Sequence, residues 1–317
     1  MNMYVGIDVG KLELEINCKN ESFQVSNNQC GIKKLISILT KLVDKYNAIP
    51  LIVCEATGGY ERLLVKQMRV NHYAVHVAHP NKIRAFAKSK GLLAKTDKID
   101  ASLIADYACV MQVTADDYLL SETTEKIGEL LKRRDQLLAD KHREQARLDK
   151  EYGDDINRSI QSHVKWIEKE ITRIDKLLEE ESQQEALQSQ IILLTSVPSI
   201  GRLTALGLLA FLPEIGQANH EQLVALVGLA PFNRDSGSYK GKRYIQGGRG
   251  IIRKALYMAA ISSLRWNKPL ANFYQRLRSR GKPAKVAITA VMRKLLLVLN
   301  SIIKRQSPWQ ENICQHA

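Results

Sequence analysis

The sequence predicts a multidomain α/β-plus-α chain, with an α/β domain first, a helical middle and a mostly helical C-terminal domain. Three observations carry that prediction. The N-terminal third switches repeatedly between strand-like alternation and helical spacing. The stretch 121–190 is rich in charge, lacks Pro and carries apolar residues at heptad steps. Beyond 190, apolar helical runs are broken by Pro/Gly turns and by one Gly-rich basic loop.

Taken in order, residues 3–9 (MYVGIDV), 11–18 (KLELEINC) and 21–27 (ESFQVSN) read as three short strands joined by hairpin turns at Gly10-Lys11 and Lys19-Asn20. A helix over about 30–46 places Ile32, Leu35, Ile36, Leu39, Leu42 and Val43 on one face. PLIVCEAT (50–57) is an apolar run suited to a buried parallel strand. A helix over about 60–70, a strand at 73–78 (YAVHVA), a helix near 81–89 and another from about Thr96 follow. The order β-β-β-α-β-α-β-α is that of an RNase H-like domain, an antiparallel meander extended by right-handed crossovers to parallel strands.

In the middle segment, Ile127, Leu130, Leu131, Leu137 and Leu138 mark one helix, and Tyr152-Gly153-Asp154 offers a break. The second helix carries Ile160, Val164, Ile167, Ile171, Ile174 and Leu178, an a/d seam. A helical hairpin or coiled coil is the natural reading, and the sequence leaves open whether it pairs within the chain or across a dimer. From 191 a helix end, the turn SVPSIGRLTA (196–205) and a second helix precede the basic loop at 231–250, with helices over about 250–265 and 284–305. The expected domains are therefore 1–115, 116–190 and 191–317.

Hydrophobic residues make up 45% of the chain and charged residues 25%, a balance that fits an ordered globular protein and excludes a disordered one. No run of about 18 apolar residues is free of charge, so no membrane span is expected. The N-terminus lacks the basic start and apolar stretch of a signal peptide, which leads to a cytoplasmic expectation. Cys18, Cys30, Cys54, Cys109 and Cys314 are scattered and read as reduced thiols, mostly core filler.

Charge distribution says more. Between Asn233 and Arg305 there are 18 Lys or Arg residues against a single acid, Asp235, so the chain's +14 net charge resides there and the rest is near neutral. Natural surfaces usually mix both signs. A one-sign block is the footprint of a polyanion, and its interruption by Gly and Tyr, with no amphipathic anchor, favours nucleic acid over a membrane surface.

One group of carboxylates points to chemistry. Asp8 shares a strand face with Tyr4 and Gly6, opposite Met3, Val5, Ile7 and Val9. A carboxylate in a central strand is costly to bury unless it is paired or metal-bound. Glu55 ends the fourth strand, which this topology sets beside the first; its competing role is to cap the helix near Gly59. Asp97 and Asp100, three apart on a predicted helix, share a face, whereas Asp106 is half a turn out of phase with Asp97 and is left out. Four carboxylates with no His or Cys nearby suit hard, oxygen-ligated cations, Mg²⁺ first and Mn²⁺ as a substitute. Two such ions can clamp the attacking and leaving oxygens of a phosphodiester.

GIDVGK with Asp8, CEATGGY with Glu55 and KTDKIDA with Asp97 and Asp100 together resemble the DEDD motifs of the pilin-invertase-like insertion-sequence transposases. This group is described as bridge-RNA-guided recombinases, and its N-terminal domain resembles the Holliday-junction resolvase RuvC. VGLAPFNRDSGSYKGKRYIQGGRGIIRKALYMAA (227–260) resembles the family's second signature, so nearly the whole chain is covered. The resemblance implies a transposase that cuts and rejoins DNA, with the family's catalytic serine falling on Ser236 and Ser238 as the fallback in register. Arg234, Lys240, Lys242 and Arg243 would supply the activating positive field, with Arg249, Arg253 and Lys254 completing a nucleic-acid-binding set. Tyr239 and Tyr244 are the other nucleophiles nearby, without the Arg/His set of a tyrosine recombinase. The resemblance further implies donor and target DNA and a structured non-coding RNA as partners. It also implies a homo-oligomer, dimer or tetramer, in which acidic and serine-bearing domains of different protomers meet.

SVPSIGRLTA is similar to a helix-hairpin-helix turn that offers backbone N–H groups to phosphate, with Ser199 where the first glycine commonly stands. Two other functions share these features: a hydrolytic, junction-resolving nuclease that uses the acids alone, and a non-catalytic nucleic-acid-binding assembly protein.

Overall fold

The computed structural model describes residues 3–19, 21–91, 97–115, 121–150, 152–232, 235–236, 239–240 and 244–311, and of residues 97–99, 235–236 and 239–240 it describes the backbone. The chain forms two compact units, Met1–Asp117 and Tyr118–Ala317.

In the first unit β1 (Met3–Val9), β2 (Glu13–Cys18) and β3 (Glu21–Ser26) form the meander, followed by α1 (Gln29–Tyr46), β4 (Pro50–Glu55), α2 (Arg62–Val70), β5 (Ala74–Ala78), α3 (Pro80–Ser89) and α4 (Asp97–Val110). The sheet order is β3-β2-β1-β4-β5. β1 pairs antiparallel with β2 and parallel with β4, and β4 pairs parallel with β5. This is the expected RNase H-like arrangement. One detail differs: Val9 pairs with Leu14, so the first turn is longer than Gly10-Lys11, and Gly10 N–H closes it on the Glu13 carbonyl.

Alternation along the strands sorts the core into two faces. Met3, Val5, Ile7 and Val9 join Ile52 and Cys54 beneath Ile32, Leu35 and Leu39 of α1 and Leu64 and Met68 of α2. On the opposite face Val53 and Ala78 pack with Ile83 of α3 and with Leu103, Ile104, Tyr107 and Ala108 of α4. Cys18 and Cys54 are buried as core filler, whereas Cys30 and Cys109 are exposed; Cys314 lies outside the described residues.

The second unit opens with α5 (Glu122–Leu148) and α6 (Asp154–Glu181). They pair within the chain as an antiparallel hairpin: Lys126 meets Glu181, Arg134 meets Asp175 at 2.6 Å, Lys141 meets Glu168 at 2.8 Å and Glu144 meets His163 at 3.3 Å. Rising numbers on one helix meet falling numbers on the other. Of the heptad positions, Ile167, Ile174 and Leu178 are buried against α5.

Next come α7 (Glu185–Thr195), α8 (Arg202–Phe211) and α9 (His220–Val227), then four two-residue strands, β6 (Pro231–Phe232), β7 (Asp235–Ser236), β8 (Tyr239–Lys240) and β9 (Tyr244–Ile245). The unit ends with α10 (Gly250–Trp266), α11 (Lys268–Ser279) and α12 (Ala284–Arg305). α12 is long and apolar enough to cross a membrane by composition, but 61% of that apolar window is buried within the fold, where Val291, Leu295, Leu296 and Leu299 form the centre of the core. Asn300 is the polar exception. It is 2% exposed, accepts from Gly216 N–H at 2.6 Å and donates to the Ala218 carbonyl at 3.2 Å.

Candidate functional site

Strand register sets two of the four carboxylates on neighbouring strands. β1 and β4 pair in parallel from Met3↔Pro50 to Ile7↔Cys54. Asp8 and Glu55 are the next residues on the two strands after the last pair, Ile7↔Cys54, and across the antiparallel pair Asp8 faces Glu15 of β2. Asp8 and Glu55 are both half-buried, and both alternate onto the sheet face that α4 covers.

The approach of α4 depends on Gly6, two residues before Asp8. A Cβ there would lie 2.2 Å from the Ala101 carbonyl oxygen and 2.5 Å from the Ala105 nitrogen. The helix backbone therefore rests directly on the strand, closer than any side chain permits. Asp97 is the first residue of α4, and half-buried Asp100 immediately precedes the Ala101 contact. Asp106, left out on phase, pairs with Lys90 at 2.5 Å. Among the described residues no three His, Cys, Asp or Glu side chains form a metal cage; the Asp97 side chain is outside that set.

Sequence reading placed no His near these acids, but the β4–β5 register pairs His76 with Val53 and so sets it on the same sheet face. The signal was available in YAVHVA, where His76 is in phase with Ala78.

Loops at the carboxylate end of the sheet are fixed by two side chains the sequence did not single out. The Glu61 carboxylate accepts from Thr57 N–H at 3.1 Å, the Thr57 hydroxyl at 3.1 Å and Gly59 N–H at 2.8 Å. Glu61, not Glu55, thus organises the turn around Gly59. Burial opposes ionisation of Glu61, but the backbone N–H groups of Glu61, Gly59 and Thr57 and the Thr57 hydroxyl outweigh it and hold the carboxyl below the ordinary carboxylate range. The Asn27 amide donates to the Gly10 carbonyl at 2.9 Å and the Tyr60 carbonyl at 3.1 Å, tying the β1–β2 turn to the β4–α2 loop. A side chain-to-backbone bond between distant loops leaves no mark in sequence periodicity.

In the second unit, Ser236 lies on β7 and pairs with Tyr239 of β8, so two residues separate the strands. Asp235 faces Lys240 in the same pair, and outside it β6 pairs with β9 through Pro231↔Ile245 and Phe232↔Tyr244. The expected open loop is thus a hairpin. Gly237-Ser238 had the composition of a two-residue hairpin turn and could have signalled it. Arg234, Ser238, Lys242 and Arg243 lie outside the described residues.

Arg249 and Arg253, expected to bind nucleic acid, are half-buried and hydrogen-bonded to groups of the fold itself. Arg249 Nη1 and Nη2 donate to the two oxygens of Glu214 at 2.5 and 2.6 Å, and Nη1 also donates to the Phe211 carbonyl at 3.2 Å. Arg253 Nη1 donates to the Val227 carbonyl at 3.1 Å and the Gly247 carbonyl at 2.5 Å. Lys254 stays outward, its side chain 74% exposed and 3.6 Å from Asp135. In the turn before α8, Ser199 adopts a φ of 91°, the backbone region that favours glycine.

Residues 192–275 match the family described as Transposase IS116/IS110/IS902, and residues 5–151 match the DEDD transposases of IS110 type. Pilin gene-inverting proteins of Moraxella lacunata and Moraxella bovis are each 30% identical to this chain, with 98% of this chain and 98% of the relative covered. A solved structure of T. thermophilus RuvC with a Holliday junction substrate is similar at 12% identity with a TM-score of 0.26, covering 36% of this chain and 98% of that one.

Proposed function

This chain belongs to the IS110-family DEDD transposases, and we propose that it cuts and rejoins DNA through a serine nucleophile assisted by a four-carboxylate site. Asp8, Glu55, Asp97 and Asp100 form the acidic set. The observation that supports it is the parallel β1–β4 register, whose last pair Ile7↔Cys54 immediately precedes Asp8 and Glu55, together with a helix seated directly on Gly6.

The donors are all hard oxygens, which fits Mg²⁺, with Mn²⁺ as a substitute. Asp8, Glu55, Asp97 and Asp100 would hold such a cation, which would supply positive charge to polarise the scissile phosphate.

Ser236 acts in the other half. Its hydroxyl gives up a proton, the Oγ–phosphorus bond forms, and the deoxyribose oxygen leaves and takes up a proton. The diester count is unchanged, so a strand hydroxyl can reverse the step and rejoin DNA without an external energy source. Arg234, Lys240, Lys242 and Arg243 favour the alkoxide and bind the phosphate. Exposed Lys254 and the cations of α11 and α12 contact the backbones of donor and target DNA and of a structured non-coding RNA. Inversion of a gene segment, the reaction recorded in the relatives' name, is a cut-and-rejoin reaction of this kind. We assign the working form to a dimer or tetramer in the cytoplasm.

The test is a trapped reaction. Wild type should yield protein joined to DNA through a serine phosphodiester at Ser236, and Ser236→Ala should lose the adduct and strand exchange while still binding DNA. Normal recombination by Ser236→Ala would remove the serine mechanism and leave a hydrolytic nuclease.

A further inference from the structure

We infer that Arg249, Arg253 and Glu214 are positioning residues that clamp the base of the serine-bearing hairpin, an inference that rests on Ser236 being the nucleophile. A reacting group must be held to within about 0.5 Å of its productive place. Two short strand pairs cannot supply that alone, since an isolated two-stranded hairpin is marginally stable in water. Rigidity has to enter at the base.

The base is built for it. The chain leaves the core through Val227 and Gly228 and returns through Gly247, Gly248 and Arg249. These two passes touch backbone to backbone: a Cβ on Gly248 would lie 2.3 Å from Gly228 N, and one on Gly228 would lie 2.3 Å from the Gly247 oxygen. Arg249 N–H donates across the gap to the Leu226 carbonyl at 2.9 Å. The Arg253 guanidinium ties the Val227 carbonyl on the outgoing pass to the Gly247 carbonyl on the return. Arg249 in turn links the return pass to the end of α8 through Phe211 and Glu214.

Glu214 decides between a clamp and a phosphate contact. It is 6% exposed, and both its oxygens are taken by Arg249. Swinging Arg249 toward DNA would strand a buried carboxylate, a costly state. Nor can a lysine replace the guanidinium, which reaches several acceptors in one plane.

The experiment uses the full chain carrying Arg249→Met, Arg253→Met or Arg249→Lys, the last retaining the charge so that folding is preserved. Four quantities are read: the single-turnover strand-transfer rate at saturating DNA, the half-saturating DNA concentration, the salt slope of binding, and tryptic cutting at Arg234, Lys240, Lys242 and Arg243. The expected result is a rate loss on the order of 100-fold, typical of a misplaced reacting group. Half-saturation and salt slope should stay unchanged, and cutting should rise selectively at those four sites.

A salt slope lowered by about 1, with matching loss of affinity and unchanged cutting, would make these arginines phosphate contacts and overturn the clamp. A lower melting temperature with an intact rate at saturation would reduce them to general stabilisers and overturn it equally. The serine reading fails separately, if Ser236→Ala exchanges strands normally; tryptic cutting of Arg249→Lys then still decides whether the base is clamped.

Discussion

Gly6→Ala probes the acidic site without touching any carboxylate. The added Cβ would sit 2.2 Å from the Ala101 carbonyl oxygen and 2.5 Å from the Ala105 nitrogen. Both are backbone atoms of α4, so no side chain can rotate away. Ordinary van der Waals contact needs about 3.5 Å, so the helix must retreat by roughly 1 Å. Overpacking of this kind costs about 1–3 kcal/mol, and the substitution returns only about 0.5–1 kcal/mol through lost chain freedom in the unfolded state. The N-terminal turn of α4 carries Asp97 and Asp100, so in the proposed site the same shift would misplace them relative to β1 and β4. A misplacement of that size costs about 100-fold in rate. Single-turnover DNA cleavage in Mg²⁺, read beside a thermal melt, separates the two effects. Gly207→Ala is the control, because nothing lies within 4 Å of a Cβ there and the position is helical; it should leave cleavage intact and raise stability. Wild-type cleavage by Gly6→Ala would refute the seating of α4 as the basis of the site.

The other expectations follow from the same geometry. Asp8→Asn, Glu55→Gln, Asp97→Asn and Asp100→Asn should each abolish cleavage in Mg²⁺ and Mn²⁺ while the melt stays cooperative; near-normal turnover in the Asp8 variant would remove it from the site. DNA binding should weaken steeply with salt, with a log–log slope near −5 if about six phosphates are neutralised, and a slope near zero would clear the basic segment of that role. Asn300→Leu should cost roughly 2–4 kcal/mol by leaving Gly216 N–H and the Ala218 carbonyl unpaired, and an unchanged melting temperature would contradict it. The Glu61 carboxyl is depressed in the folded state, so its stabilisation is complete above the ordinary carboxylate range and is lost as pH falls through the depressed value. Melts between about pH 3 and 6 should therefore fall less steeply for Glu61→Gln than for wild type, and parallel curves would deny Glu61 that part.

Much of the first unit was legible because its signals are local. The alternation in MYVGIDV and the apolar run PLIVC announce strands, and a carboxylate in phase with Gly6 stands out against that pattern. Register needed topology as well: once the fourth strand lies parallel to the first, pairing runs to Ile7↔Cys54 and leaves Asp8 and Glu55 as the next residue on each strand. Gly6 was readable as a residue on the right face, but its reason was not, since the atoms it makes room for belong to a helix nearly a hundred positions away. Asn27 and Glu61 escaped notice for the same cause. Each makes its contacts with loop backbone, which has no side-chain pattern to read.

The second unit shows where composition misleads. Counting cations over 233–305 treats every Arg as surface, yet a guanidinium can be used up inside a fold as readily as on a phosphate. Arg249 and Lys254 are five residues apart and equivalent in any charge count. One meets both oxygens of a buried carboxylate, and the other is 74% exposed with a half-exposed carboxylate, Asp135, at 3.6 Å. The difference arises from Glu214, 35 positions earlier, which holds the Arg249 guanidinium. Net charge therefore bounds how many phosphates this segment can neutralise from above. The true number is set by which cations are not held by buried acids or carbonyls, and that is a property of tertiary contacts rather than of sequence.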